Sequence, residues 1–165
     1  MHADAEVMHD YGGPIGKSES DMKFNRYLAT WRQHGFGRWA IETLDGAFLG
    51  YVGVMPSRSD HPIGSHVEIG WRLVRHAWGH GYATEAAREA LKDAFTRVGL
   101  TEVLAYTADD NPRSQAVMFR LQMQRDSSRD FTLDYDGVKA WRGLVWMTRT
   151  VAKILKVDGG LSHNS

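Results

Sequence analysis

Gly79 and Gly81 stand two residues apart between an apolar segment and an alanine-rich one, within the string from Trp71 to Ala87. This order predicts a strand, a glycine loop and a helix. The first turn of such a helix has backbone N–H groups without intrahelical partners, and the helix dipole adds partial positive charge there. Because glycine has no side chain to block a ligand, the loop is suited to binding a phosphate group through main-chain atoms. A Gly-x-Gly pair taken alone also fits an ordinary strand-to-helix turn.

The segments on both sides of the loop predict the elements that position it. Residues 66–73 alternate between two faces of a strand, with Val67, Ile69, Trp71 and Leu73 on one face and Glu68, Gly70 and Arg72 on the other. After the loop, a helix from Tyr82 to about Val98 has its small and apolar residues on one stripe, and Gly99 ends it. The small residues of this stripe favour close packing on a sheet.

The remaining patterns complete a mixed α/β arrangement. Residues 1–17 predict a loop. A helix is predicted to follow, with Ser18 or Ser20 as its cap and Gly35 at its end. Its residues Phe24, Tyr27, Leu28 and Trp31 share one stripe. Strands are predicted at 38–43, 47–54, 102–107, 131–135 and 140–148, with turns at Asp45-Gly46 and Asp136-Gly137. The strand at 102–107 is expected to run parallel to the one at 66–73, because a helix connects them. Asn111 caps a further helix, with Pro112 in its first turn.

Composition narrows the classes of protein that fit. A length of 165 residues suits one domain, expected at 1–157 with a disordered tail at 158–165. The formal net charge is zero, so no basic field supports direct binding of nucleic acid. Cysteine is absent, which excludes disulfides and a cysteine nucleophile, and the histidines lack metal-ligand spacing, so no metal is expected. No apolar run has membrane-spanning length and no signal-peptide core is present, which favours a cytoplasmic protein without a membrane partner.

The glycine loop resembles the acetyl-CoA pyrophosphate loop of the GNAT acyltransferases, whose pattern is roughly Gln/Arg-x-x-Gly-x-Gly/Ala. Here the pattern falls on His76, Gly79 and Gly81. The string from Trp78 to Ala86 is similar to the branch typified by RimJ and RimL, the ribosomal-protein N-terminal acetyltransferases. Further blocks agree with that branch: Asn111-Pro112-Arg113-Ser114, Val117-Met118-Phe119, Leu121-Gln122-Met123, and Gly37 to Ile41 followed by Gly50 to Gly53.

The resemblance implies a GNAT-like fold, a central mixed β-sheet flanked by helices, with three departures from the family pattern. His76 replaces Gln or Arg, and Gln122 replaces the glycine of Leu-Gly-Met. Family members begin with a strand and a helix before the segment that aligns with Asp4 to Met8, so the family's first strand and part of a helix are expected to be absent. Either the reading frame is shortened or another element replaces the family's first edge. Because an open sheet edge can pair with another chain, a homodimer is expected.

The resemblance also implies acetyl-CoA as the acyl donor. The pyrophosphate would lie against His76, Gly79, His80, Gly81, Tyr82, Ala83 and Thr84. The pantetheine arm would enter a gap where the strand that carries Ile69, Trp71 and Leu73 splays from its neighbour. Asn111 matches a family position that contacts the pantetheine. Its other role is to cap its own helix, and both roles can hold.

Glu68 is the candidate general base, because it lies on the polar face of its strand and a glutamate on this strand often serves GNAT enzymes directly or through water. The alternative is a solvated glutamate, or one that pairs with Arg72. Ser114 matches the family's Asn-x-x-Ser position and is the candidate donor of a proton to the leaving thiolate. Many relatives use a tyrosine that is Met118 here, and the alternative role of Ser114 is to serve the start of its helix. Without cysteine, direct attack of the amine on the thioester is the economical mechanism.

The favoured hypothesis is an acyl-CoA-dependent N-acyltransferase that moves an acetyl group to a primary amine, either a protein N-terminus or a small molecule. The alternative is a catalytically impaired module that binds acyl-CoA or dimerises. A dinucleotide-binding domain fits poorly, because the Gly-x-Gly-x-x-Gly frame that begins at Gly79 ends at Thr84.

Overall fold

The computed structural model describes residues 1–135 and 138–150. Its strands are β1 (Arg38–Glu42), β2 (Phe48–Pro56), β3 (Val67–Leu73), β4 (Glu102–Thr107), β5 (Gln124–Arg125), β6 (Phe131–Tyr135) and β7 (Val138–Arg149). Its α-helices are α1 (Lys17–His34), α2 (Tyr82–Thr96) and α3 (Pro112–Arg120). The turn predicted at Asp136-Gly137 and the tail predicted at 158–165 lie outside the described residues. None of the helices in the described ranges has both the length and the apolar character that crossing a membrane requires.

The strands form a seven-stranded mixed sheet in the order β1-β2-β3-β4-β7-β5, with β6 paired to β7. Neighbouring strands run antiparallel except β3 and β4, which are parallel as predicted. Strand β2 pairs with β3 along its length, from Gly50 opposite Leu73 to Pro56 opposite Val67. Between β3 and β4 the register consists of one pair, Glu68 opposite Leu104. The sheet is therefore continuous on one side of β3 and parted on the other.

One face of the sheet is covered by α2, as the sequence predicts. Ile69 on β3 is 2 % exposed and packs against the small-residue stripe of the helix, while Leu73 is 6 % exposed and packs with Ala83 at the helix start. That stripe buries Ala87, Ala90, Leu91 and Ala94. Alanines bring a helix axis close to a sheet because they add little bulk, and this packing holds the start of α2 at the carboxyl end of β3.

The other face of the sheet is polar and is covered by α1 and the residues that precede it. Tyr27 of α1 lies edge-on to Tyr51 of β2, with ring centroids 5.3 Å apart. The predicted loop contains no α-helix before Lys17, but it includes a 3-10 helix at His9–Tyr11, and Val7 and Met8 are buried, at 5 % and 0 % exposure. The sequence offered no periodic signal for this burial, because a loop packs through single side chains rather than through a stripe.

Several predicted boundaries and caps are wrong. Helix α1 begins after Gly16, which makes no side-chain cap bond, so neither Ser18 nor Ser20 is the cap. The stripe predicted on α1 is only partly buried, since Phe24 remains 58 % and Leu28 36 % exposed while the helix covers a polar sheet face with Tyr27 and Thr30. The short strand β5 has no counterpart among the predicted strands, because two residues carry no readable alternation.

The packing predicts a large loss of stability for Leu104→Ala. Leu104 is 0 % exposed and packs with Phe131 and Val145, so the substitution leaves a cavity and should lower the free energy of unfolding by about 2–5 kcal/mol. Leu44→Ala is the matched control, because Leu44 is fully exposed and its loss should change stability by less than about 0.5 kcal/mol. Urea unfolding of both variants checks this, and equal effects would contradict the described core.

Candidate functional site

The opening between β3 and β4 is the first component of the candidate site. Beyond the pair of Glu68 and Leu104 the two strands no longer share a ladder. The backbone of Ile69, Trp71 and Leu73 pairs with β2 on one edge and faces the opening on the other. An unpaired strand edge offers N–H and C=O groups to an extended, amide-containing ligand. Glu68 therefore lies at the point where the strands part.

The glycine loop is the second component, and its geometry suits an anion. Gly79 and Gly81 have φ of +80° and +83°, in the left-handed region that glycine adopts without strain. A side-chain carbon built on either residue would meet nothing within 4 Å, so the space beside the loop is open. The first bond of α2 runs from the Glu85 N–H to the Gly81 carbonyl at 3.0 Å. The N–H groups of Tyr82, Ala83 and Thr84 come before that first bond and therefore have no partner within the helix. An anion site at a helix start requires such groups.

Cationic and ionisable side chains surround this loop. His76 lies in a short 3-10 helix, Arg75–Ala77, and both His76 and His80 are exposed. Arg113 of α3 lies over the Trp78 ring, with its guanidinium carbon 4.2 Å from the ring centroid. Sequence reasoning missed Arg113 as a loop residue, although it lies inside the Asn-Pro-Arg-Ser block. The structure brings that block to the glycine loop.

Acidic residues that precede α1 pair with the arginines beside the loop. A Glu6 carboxylate oxygen lies 2.6 Å from Arg75 Nη1, and the other lies 3.9 Å from Arg113 Nη2. Asp10 pairs with Arg72 of β3 at 2.9 Å, and Arg72 also donates to the Val7 carbonyl. The N-terminal residues therefore contact the β3 side and the α3 side of the opening.

Asn111 and Ser114 lie at the start of α3. The Asn111 side-chain oxygen accepts from the Ser114 N–H at 3.1 Å, so the predicted cap is confirmed. Its amide nitrogen donates to Asp10 at 3.4 Å. The Ser114 hydroxyl forms no hydrogen bond with the described residues. Met118, which stands at the family's tyrosine position, is 1 % exposed and belongs to the core.

Glu68 forms a buried ion pair, but not with the residue that the sequence suggested. Its Oε1 lies 2.5 Å from Arg38 Nη2, and the two side chains are 18 % and 9 % exposed. The alternative pairing with Arg72 is wrong, because Arg72 is four residues further along an extended strand and binds Asp10 instead. The other oxygen, Oε2, accepts no hydrogen bond from the described residues. One carboxylate oxygen is thus held, and the other remains available to a ligand or a water molecule.

Gly70 of β3 leaves room for Arg38 to reach across the sheet. The Arg38 guanidinium donates to the carbonyls of Gly53 and Gly70. A side-chain carbon at Gly70 would lie 2.8 Å from Arg38 Nη2, so only glycine leaves this path free. Burial disfavours the charged form of Arg38, but the Glu68 carboxylate opposes this, and the net result is a raised pKa. Arg38 is the main site residue that sequence reasoning missed.

An aromatic cluster lies on the β4 side of the polar face and was also missed. Its members are His61, His66, Tyr106, Phe131 and Trp141, with His61 and Phe131 centroids 4.6 Å apart and Tyr106 and Phe131 centroids 5.2 Å apart. Burial, with His66 as the next cause, lowers the pKa of His61. The cluster joins residues from a loop and three strands, so no spacing along the chain could have indicated it.

Comparisons with known proteins agree with this geometry. The family model described as an acetyltransferase (GNAT) domain matches residues 1–124. The FsC-acetyl coenzyme A-N(2)-transacetylase of Aspergillus fumigatus is 38 % identical over 130 residues, which is 72 % of this chain and 53 % of that protein. An acetyltransferase structure from Agrobacterium tumefaciens is 26 % identical, has a TM-score of 0.69, and aligns over 86 % of this chain and 77 % of its own.

A spermidine N-acetyltransferase from Vibrio cholerae, solved in complex with CoA and spermine, shares the fold at a TM-score of 0.68. The two chains are 14 % identical, and the match covers 90 % of this chain and 85 % of that one. At this identity the likeness concerns the fold alone.

The chain belongs to the GNAT acetyltransferase family, because the family model matches well over half of it. The prediction of a mixed α/β GNAT fold is confirmed by the sheet and by the structural neighbours. The chain spans about half the length of the Aspergillus relative that it matches, 53 %.

The buried ion pair predicts the effect of Arg38→Met. Removing the guanidinium leaves Glu68 buried without a partner, so the free energy of unfolding should fall by about 3–5 kcal/mol. Replacing both residues with methionine should recover much of this loss, because the unpaired charge is then gone. Lys17→Met is the control, since Lys17 pairs with Asp21 on the exposed surface of α1 and should matter little. A double variant no more stable than the single one would contradict this account.

Proposed function

We propose that the protein is an acetyl-CoA-dependent N-acetyltransferase that acts on a primary amine. The observation that carries the proposal is the parted pair of β3 and β4, with Glu68 where the strands part and the helix-start N–H groups at the mouth of the opening. The loop supports binding of a pyrophosphate, and the open edge of β3 supports binding of an amide-containing arm. Membership of the GNAT family supports the reaction class.

Direct transfer accounts for the residues present. The amine nitrogen bonds to the thioester carbonyl carbon, the carbon–sulfur bond breaks, and the proton lost from the amine must be accepted while the thiolate gains one. Glu68 Oε2 is the group we assign to take the amine proton, directly or through one water molecule. A free α-amino group has a pKa of about 7.7–8.0, so its deprotonation near neutral pH is a modest demand on a carboxylate.

The remaining residues would hold the base and supply the second proton. Arg38 fixes the Glu68 side chain through Oε1, and this leaves Oε2 without a partner among the described residues. The Ser114 hydroxyl stands at the start of α3 and is our candidate for protonating the thiolate. Arg113, His76 and His80 surround the glycine loop and would face the phosphates of the donor, where positive charge is favourable.

The finer assignments are also proposals. The string from Trp78 to Ala86 supports a RimJ/RimL-like branch, and a protein N-terminus or a small-molecule amine would then be the acceptor. Pairing of two copies is supported by β1, which pairs only with β2 among the described strands. A catalytically impaired acyl-CoA-binding module is the alternative function, and it predicts binding of the donor without turnover.

Calorimetric titration with acetyl-CoA tests the donor site. The parent protein should bind with micromolar affinity, and Gly81→Glu should abolish binding, because the new carboxylate repels the phosphates and fills the loop. Gly99→Glu is a matched control, since Gly99 has a similar φ of +78° and open space but follows the other end of α2. Absence of binding by folded parent protein would refute the proposed function.

Turnover tests the role of Glu68. Glu68→Gln should lower kcat by about 10²–10⁴-fold with acetyl-CoA affinity retained, because the amide can accept a hydrogen bond from Arg38 but cannot take a proton. Glu42→Gln, on the exposed edge strand β1, is the control. CoA release is measured with a thiol reagent, which the protein itself does not consume because it lacks cysteine. Donor binding without turnover by the parent, over a broad amine panel, would favour the impaired module.

A further inference from the structure

Lys23 of α1 is a half-buried lysine without a carboxylate partner among the described residues. Its Nζ lies 3.6 Å from the centroid of the Tyr11 ring. Lys17, one turn and a half earlier on the same helix, pairs instead with Asp21 at 2.5 Å. A cation–π contact compensates only part of the hydration that a buried ammonium loses. Lys23 is therefore a cation that lacks a full set of partners.

The charges around Lys23 make an anion favourable there. Burial is the largest cause that lowers the pKa of Lys23 to about 7, followed by Arg72, Arg26 and Arg38. Arg38 and Arg72 are committed to Glu68 and Asp10, respectively. Arg26, like Lys23, forms no ion pair with the described carboxylates. An added anion would therefore meet two cations that form no ion pair with a described carboxylate.

A cavity of about 230 Å³ gives an anion access to these two cations. It is lined by Tyr11, Glu19, Met22, Lys23 and Arg26. This volume is below that of typical sites for drug-sized ligands, and it suits one end of a small molecule. Glu19 on its wall disfavours a doubly charged phosphate more than a singly charged carboxylate. The lining thus favours a carboxylate.

The cavity is lined by α1, and α1 lies on the sheet face where Arg38 holds Glu68, as the contact of Tyr27 with Tyr51 shows. Arg38 contributes to the electrostatic surroundings of Lys23 and also holds Glu68. We propose that the acceptor amine carries a carboxylate, which Lys23 and Arg26 bind while the amino group lies towards Glu68. This inference rests on the proposed N-acetyltransferase activity and names its acceptor class, an amino acid or a similar amino carboxylate.

The site also implies a pH dependence with a definite sign. A bound carboxylate favours protonated Lys23, so affinity for the acceptor should fall as the pH rises above about 7. The other ionisable groups that face Lys23 are His2, Asp10 and Tyr11 before α1, Glu19 and Arg26 on α1, Arg38 on β1 and Arg72 on β3. Burial and Lys23 lower the pKa of His2 to about 4, so His2 stays neutral in this range.

Matched amines test the proposal. The acceptors compared at pH 6.5 are amino carboxylates and their carboxamides. Examples are glycine with glycinamide and γ-aminobutyrate with its amide. The carboxylate of at least one pair should have a kcat/KM, expressed per unprotonated amine, at least tenfold above that of its amide, because the two amines differ in basicity. Lys23→Met should raise the KM for that carboxylate about tenfold with kcat within twofold and should leave the amide unchanged, while Lys23→Arg restores the preference. Lys17→Met, on the exposed side of the same helix, should behave as the parent.

Three results separate failure of this inference from failure of the proposed function. Turnover that favours the amides, or a Lys23→Met effect equal for both members of a pair, overturns the carboxylate site and leaves the acetyltransferase intact. Turnover of no amine counts against the proposed function. The carboxylate site is then tested without turnover, by NMR titration of the Lys23 side chain with propionate. A raised Lys23 pKa on propionate binding supports the site, and an unchanged one overturns it.

Discussion

The buried ion pair between Arg38 and Glu68 is the interaction on which the rest of the site depends. It joins β1 to β3 across β2 and holds Glu68 Oε1 at 2.5 Å from Arg38 Nη2. Such a pair adds little net stability, because dehydration of two ions offsets most of their attraction. Its effect is positional: the carboxylate stays where β3 and β4 part. The glycine at position 70 follows from this constraint, since a larger residue there would meet the guanidinium at 2.8 Å.

The opening between β3 and β4 is the second constraint, and it follows from how the two strands are packed. Strand β3 is held by β2 along its whole length, and its apolar side is pressed against the alanines of α2. Strand β4 is held by β7 over six residue pairs. Each strand therefore has a satisfied ladder on its far side, and the two can separate without losing the fold. Buried backbone groups that lack partners are unfavourable, so the parted edge suits a ligand with amide groups of its own.

Charge is balanced over the whole chain but not across the site. The formal net charge is zero, yet arginines collect around the opening, on β1, on β3, before the glycine loop and on α3. Acidic residues that precede α1 neutralise part of this set, with Asp10 on Arg72 and Glu6 between Arg75 and Arg113. Lys23 and Arg26 of α1 form no ion pair with the described carboxylates. The same N-terminal segment thus shapes both ends of the opening.

Features that depend on local order could be predicted from the sequence by itself. The alternation of residues 66–73, the small-residue stripe of α2, the bounds of β4, the Asn111 cap and the glycine loop all follow from periodicity or from the backbone needs of single residues, and the structure contains each of them. The start of α1 was not predictable in this way, because Gly16 makes no cap bond that a sequence pattern would reveal.

Only the tertiary structure decided three further features: the partner of Glu68, the aromatic cluster around Tyr106 and the contact of Lys23 with Tyr11. The longest of these contacts, His61 with Phe131, joins residues 70 positions apart, and strand order, register and the path of a loop determine which side chains meet.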